Sequence, residues 1–400
     1  MQRANAGLMS PSASHRSSGW RSLATAFAGL LVLGVAHASA QNFETRAQHA
    51  LLMDAETETV LFQKAADEHM PPASMAKLMT VAVVFDAIKN GRLSLDTEFV
   101  VSENAWHNGG ANSGGSTMFA KLGSSIKVSD LLRGIIIQSA NDGCIIIAEG
   151  MAGTEKTFAN LMNAEARKLG LKDSHFTNAT GLPDPDEYVT AHDLAKLARH
   201  IIYDDPEFYP IFAETEFTWN KIRQHNRNPL LDMNIGADGL KTGFTDASGY
   251  GLVASAVRDG QRLIMVINGT KSEKERSEEA RKLIDWGLRA FEKVELFRKG
   301  EEIARASVFG GDEGSVGLVG KDGIAAFLPR GSRDLIKGRI VYQGPVPAPV
   351  ETGQEIGTLQ ITLGNDVLRE APVYANEDVG RGSIPQRAMD GLKELLLGWL

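Results

Sequence analysis

The chain changes period at Leu252-Val253-Ala254-Ser255-Ala256-Val257-Arg258-Asp259-Gly260-Gln261-Arg262-Leu263-Ile264-Met265-Val266-Ile267. Two apolar runs flank Asp259-Gly260, the dipeptide that suits a two-residue hairpin, so this segment predicts a pair of antiparallel strands. Upstream the spacing is helical. Met75, Leu78, Met79, Ala82, Phe85 and Ile88 recur every three or four positions, which predicts a helix over 74–90 stopped by Asn90-Gly91. A second helical block opens with Ser129 as its N-cap, breaks at Ser139-Ala140-Asn141-Asp142-Gly143 and resumes from Cys144 to Met151. Further helices are expected over 155–169, closed by Gly170, and over 191–203, with Thr190 and Asp193 as a capping box. After the hairpin, 272–291 reads as a charged-faced helix that turns Leu283, Ile284, Trp286 and Leu288 inward. Helices wrapped around an antiparallel sheet make this region α+β.

Beyond about Val294 the chain becomes short strands split by Gly and Pro, including Gly344-Pro345-Val346-Pro347-Ala348-Pro349. That shift in composition marks a second module, expected to be a small all-β sandwich over 293–380 after a first domain over 41–292. Residues 1–40 read as an export signal: three arginines and no acid, an apolar run over 23–36, then Ala38-Ser39-Ala40 as a cleavage site. The run is shorter than the ~20 apolar residues of a spanning helix, which disfavours the alternative of an uncleaved anchor. Export implies the periplasm of a bacterium, and a lone Cys144 there is best buried beside Ile145-Ile146-Ile147. At the other end, 383–400 places Met389, Leu392, Leu395, Leu396 and Trp399 at helical spacing. This amphipathic helix can dock on the protein's own core or lie in a membrane interface.

The 400 residues hold 42 Lys and Arg against 50 Asp and Glu; without Arg3, Arg16 and Arg21 of the signal, 39 basic residues leave a charge of −11. A net-acidic chain with no basic stripe argues against nucleic-acid binding. One cysteine excludes an internal disulfide and a multi-cysteine metal site.

Three short motifs carry chemistry. Ser74-Met75-Ala76-Lys77 opens the first helix, where residues i and i+3 share a face and bring a hydroxyl to an amine. Ser124-Ser125-Ile126-Lys127 has the same spacing but lies in a Gly-bounded loop. Ser139-Ala140-Asn141 sits at the helix break, where polar side chains face a cleft or are paired at a cost; Ser102-Glu103-Asn104 is its decoy. Lys241-Thr242-Gly243 is the rarest of the three, expected roughly once per several thousand positions at average usage. It stands at the start of a strand, where an ammonium, a hydroxyl and a bare glycine backbone can receive an extended peptide ending in a carboxylate.

In this order the motifs resemble those of the penicillin-binding protein and serine β-lactamase superfamily. The likeness is closest to the low-molecular-weight D-alanyl-D-alanine carboxypeptidases with a C-terminal β domain and an amphipathic tail. It extends to Pro72-Ala73-Ser74-Met75-Ala76-Lys77-Leu78-Met79-Thr80, Gln138-Ser139-Ala140-Asn141-Asp142, Ile222-Arg223-Gln224-His225-Asn226-Arg227-Asn228 and Asp238-Gly239-Leu240-Lys241-Thr242-Gly243-Phe244-Thr245. The resemblance implies a β-lactamase/transpeptidase-like α+β fold with no cofactor or metal. It implies Ser74 as nucleophile, Lys77 as its base, Ser139 as a proton relay to the leaving amine, and Asn141 as a holder of Lys77 and of the substrate amide. Lys241, Thr242 and Gly243 would receive the terminal carboxylate with support from Arg276, and the N–H groups of Ser74 and Phe244 would form an oxyanion hole. The loop Gly109-Gly110-Ala111-Asn112-Ser113-Gly114-Gly115-Ser116 resembles a flexible segment beside the site. Phe244 stands where some members carry a histidine.

The implied substrate is a peptidoglycan stem peptide ending in D-Ala-D-Ala, the implied covalent inhibitors are β-lactam antibiotics, and the tail would attach the protein peripherally to the inner membrane. Lys77 must be neutral to act as a base, although its ordinary pKa is ~10.4. Lowering it to near 7 takes about 4 kcal/mol, which burial and the charge of Lys241 can supply. Three alternatives stay open. A serine β-lactamase needs a carboxylate for fast deacylation, and Thr180-Gly181-Leu182-Pro183-Asp184-Pro185-Asp186-Glu187 offers acids without a Glu-x-x-x-Asn arrangement. A D,D-endopeptidase would use the same residues. A silent wall-binding protein would not need the intact set.

Overall fold

A computed structural model of the chain describes residues 43–364, 366–388 and 391. The expected export signal over 1–40 lies outside these residues, as does most of the expected terminal helix; the described part of that segment is helical over 384–388. The described chain divides into two compact units between Phe291 and Glu292.

The first unit is built on a five-stranded antiparallel sheet. Its strands run, edge to edge, Val60–Lys64, His49–Asp54, Gln261–Thr270, Gly249–Arg258 and Ala237–Thr245. The hairpin is as expected: Asp259 and Gly260 both take positive φ, at 51° and 79°, which matches the right-handed twist of the flanking strands. The strand runs are apolar throughout because both faces of the sheet are covered. Leu51, Met53, Val253, Ile264 and Val266 enter the larger core, and their alternates Leu52, Leu252, Ala254, Leu263, Met265 and Ile267 enter a second one. The second core is closed by helix α6 (Glu273–Ala290) through Ala280, Leu283, Ile284 and Leu288.

The larger core is filled by α1 (Lys77–Lys89), α2 (Val128–Ile137), α3 (Asn141–Ala152), α4 (Glu155–Lys168) and α5 (Ala191–Tyr203). Helix α1 is buried almost all round, which is why its sequence carries so few polar residues. Its first turn differs from the expectation: Ala73–Ala76 is a 3-10 turn and the α-helix begins at Lys77. Helix α2 begins at Val128 after Lys127, whose extended backbone makes no side-chain cap, so Ser129 is not the N-cap. Helix α3 restarts at Asn141, three residues before Cys144. Thr190 does cap α5 by accepting from the Asp193 N–H, but the Asp193 carboxylate turns away to the N–H of Asp173 and the hydroxyl of Ser174.

The second unit is all β. Six strands run in the order Ile336–Tyr342, Glu355–Leu363, Asp366–Ala375, Ser315–Val319, Glu302–Phe309 and Val346–Pro347. Phe291–Phe297 pairs with Ile324–Pro329 as a second sheet, and the two sheets share a core that includes Val316, Leu318, Ala326, Leu328, Leu359 and Val373. In the first unit, Ile146 on α3 is fully buried. Ile146→Ala should lower stability by about 2–5 kcal/mol in a guanidinium titration.

Candidate active site

Ser74 lies on the 3-10 turn that leads into α1. In such a turn residues i and i+3 eclipse, so the chain brings Ser74 and Lys77 to one side. The Lys77 ammonium donates to Ser74 Oγ at 2.9 Å and to the Thr180 carbonyl at 2.5 Å. Only 1% of Lys77 is exposed. Burial pulls its pKa below the usual lysine range, and Arg227 adds to that; Cys144, Glu187 and Asp142 oppose it.

The turn that offers the Thr180 carbonyl depends on Gly181. Its φ is +72°, and a Cβ there would stand 1.9 Å from the Ala73 carbonyl oxygen, so only glycine fits this close pass against the Ser74 turn.

At the helix break, Ser139 takes a positive φ of 61°, its side chain is buried, and its Oγ has no hydrogen-bond partner among the described residues. A left-handed serine with an orphan hydroxyl is held there by its surroundings at a cost of about 1–3 kcal/mol. The buried Asn141 opens α3 and lies against Gly115, and its N–H donates to the Ser116 carbonyl. The neighbouring Asp142 fixes the same segment. Its carboxylate accepts from the Thr117 hydroxyl at 2.6 Å and from the N–H groups of Met118, Ala120 and Gly143 at 3.0 Å each.

Lys241-Thr242-Gly243 occupies the edge strand, opposite Val253, Leu252 and Gly251. Lys241 is buried, and its ammonium donates to the Thr242 carbonyl at 3.1 Å. Burial holds its pKa well below normal, and the charges of Lys77, Arg227 and Arg276 push the same way. Phe244 stacks on Tyr250 with centroids 4.1 Å apart, and the Arg276 guanidinium lies 5.7 Å over the Tyr250 ring. Arg276 is buried, and its Nε has no partner among the described residues.

Ser74, Ser139, Thr242, Gly243, Phe244 and Arg276 line one cleft of about 450 Å³. Gly114, Gly115 and Ser116 of the Gly-rich loop join them. Lys77, Asn141 and Lys241 are buried and are not among the cleft-lining residues. The structure therefore gathers the three motifs around one opening. Sequence reasoning gave no role to Arg227, Tyr250 and Glu273, which also line it. Arg227 fell inside a stretch noted only for likeness, and nothing local marks the other two. The decoys are structural: Ser102 and Asn104 both bond Glu149, and Lys127 pairs with Asp96 at the surface.

A hydroxyl beside a desolvated amine at the foot of a buried helix, in a cleft flanked by buried cations, suits acyl transfer to a serine from an anionic substrate. Residues 35–272 match the family described as D-alanyl-D-alanine carboxypeptidase, and residues 291–381 match the C-terminal domain of penicillin-binding protein 5. The chain belongs to the D-alanyl-D-alanine carboxypeptidase family. It is 40% identical to D-alanyl-D-alanine carboxypeptidase DacC of Escherichia coli over 343 residues, 85% of this chain and 86% of that protein. It is 36% identical to DacA of the same organism over 389 residues, covering 94% and 95%. Penicillin-binding protein 5 from Haemophilus influenzae superposes with a TM-score of 0.76 at 37% identity, covering 85% of this chain and 99% of that one.

Removing the Asp142 carboxylate leaves several donors unsatisfied. Asp142→Ala should cost roughly 2–4 kcal/mol. It should also slow acylation by a fluorescent penicillin at temperatures where circular dichroism shows the variant still folded.

Proposed function

We propose that the protein is a serine-type D-alanyl-D-alanine carboxypeptidase that removes the terminal D-alanine of peptidoglycan stem pentapeptides through an acyl-enzyme on Ser74. The observation that carries this reading is the 2.9 Å contact of Lys77 with Ser74 Oγ inside a site that disfavours the ammonium.

Ser74 Oγ attacks the carbonyl between the two D-alanines as Lys77, in its neutral form, takes the hydroxyl proton. The oxygen that gains negative charge is held by the backbone N–H groups of Ser74 and Phe244. Ser139, whose hydroxyl is uncommitted, passes a proton to the departing amine, and Asn141 holds the substrate amide. The substrate carboxylate is received at Thr242 and Gly243, which line the cleft with Arg276, beside the buried ammonium of Lys241. Lys241, Arg227 and Arg276, all desolvated, repel one another, and an incoming carboxylate relieves that repulsion. Water then attacks the ester and frees Ser74. β-Lactams enter by the same first step and stay bound as acyl-enzymes.

Further elements of the proposal are export by residues 1–40 to the periplasm and peripheral attachment to the inner membrane by 383–400. The net-acidic chain gives little attraction to anionic lipid, so apolar residues such as Leu396 and Trp399 would supply the attachment.

Ser74→Ala should abolish labelling by fluorescent penicillin and release of D-alanine from a pentapeptide, with an unchanged melting temperature to within a few degrees. Label found on another residue would contradict the assignment. Lys77→Met should slow acylation by roughly 10²–10⁴-fold, the range lost with a general base.

A further inference from the structure

The segment that carries the Thr180 carbonyl contains a buried acid, Glu187, that takes no part in the acyl transfer itself. We propose that Glu187 is a positioning residue whose carboxyl, tied through Asn178 to the Thr180 turn, sets the placement and the charge of Lys77. The inference rests on Lys77 being the base.

The chain of contacts is continuous. Asn178 Oδ1 accepts from the N–H groups of Thr180, Gly181 and Leu182 at 3.0, 2.8 and 3.2 Å and from the Thr180 hydroxyl at 2.6 Å. That one oxygen shapes the turn whose carbonyl receives Lys77. The amide of the same side chain donates to Glu187 Oε2 at 3.3 Å. Glu187 is 5% exposed. Its Oε1 is sealed from solvent and makes no hydrogen bond among the described residues, although the Thr177 N–H is near enough to favour the anion. Glu187 also lines a second cavity of about 330 Å³ with Ala73, Gly181 and Thr245, so the acid sits behind the Ser74 turn rather than in the substrate cleft.

The charged groups around this pair decide its behaviour. Glu187 feels Lys77 of α1, which favours its anion, and Asp184 of its own loop, which opposes it. Asp246 follows Thr245 on the facing strand end, and His69 and His175 stack on the adjoining Tyr188. Lys77 in turn faces Asp142 and Cys144 of α3, and Arg227. Burial pushes the Glu187 carboxyl up to about 8. Near neutrality the acid is therefore mostly uncharged, and the desolvated Lys77 is free to be an amine. When Glu187 ionises, its anion favours the ammonium and holds the base back. The two titrate as a pair, so the effect is read in macroscopic pH profiles.

The test compares acylation by fluorescent penicillin, and kcat and KM for D-alanine release from a pentapeptide, from pH 5 to 10. The proteins are the wild-type chain, Glu187→Gln, Glu187→Ala and Lys77→Met. Glu187→Gln keeps the shape and the Asn178 contact without the charge. It should match wild-type kcat near pH 7 and move the rising limb of the acylation profile down by at least about half a pH unit. Glu187→Ala removes one of the three acceptors of the Asn178 amide, leaving the Leu182 carbonyl and the Thr177 hydroxyl, and should lower kcat about tenfold with little change in KM. A wild-type reaction that depends on Lys77, with a profile unmoved in Glu187→Gln, overturns this inference alone. Acylation by Lys77→Met at the wild-type rate removes the base reading and this inference with it. Thermal unfolding reports whether Glu187→Ala folds; if it does not, the Glu187→Gln profile decides.

Discussion

The structure turns on an amine buried where an ammonium is poorly tolerated. Lys77 is 1% exposed, and its side chain has two partners, the Ser74 hydroxyl and the Thr180 carbonyl. Each pKa unit removed from a lysine represents about 1.4 kcal/mol of preference for the free base. Arg227 pushes Lys77 the same way as burial does, and burial likewise disfavours the charged forms of Lys241, Arg227 and Arg276. Such a cluster persists only if the surrounding fold is stable enough to impose it.

Two well-packed cores provide that stability, one on each face of the sheet. Helix α1, buried on nearly every side, fixes the Ser74 turn from beneath, and the edge strand fixes Lys241 by its register with the Gly249–Arg258 strand. The strain is local. Ala73 and Ser139 both hold positive φ, at 47° and 61°, beside the nucleophile and at the helix break. Buried donors and acceptors without partners, such as Ser139 Oγ and Arg276 Nε, are found in the same small region. Residues poised in this way stabilise a bound substrate at the expense of the empty fold.

Much of this was legible in the sequence where the signal was local. The hairpin, five of the helices and the junction near residue 292 follow from period, caps and composition. The three motifs could be ranked against their decoys because only the favoured copies sat on a helix foot, a helix break and a strand. What the sequence hid was long-range. The bond from Lys77 to Thr180 spans 103 residues, and that from Thr117 to Asp142 spans 25. Neither has a periodicity to announce it. Helix ends shifted by one to three residues where backbone geometry replaced a side-chain cap, as at Lys127 and Asn141. Glu187 was visible only as one acid among several, because burial is a property of the folded loop.

The central claim, that Lys77 is an amine at working pH because the fold desolvates it, is open to direct measurement. The full protein labelled with ¹³C at lysine Cε can be titrated by NMR, with Lys77→Arg identifying the resonance. The account predicts that Lys77 titrates below the ordinary value of 10.5 and that β-lactam acylation rises with pH along the same curve. A Lys77 resonance that titrates above pH 10, in a protein that still acylates at neutral pH, would contradict it.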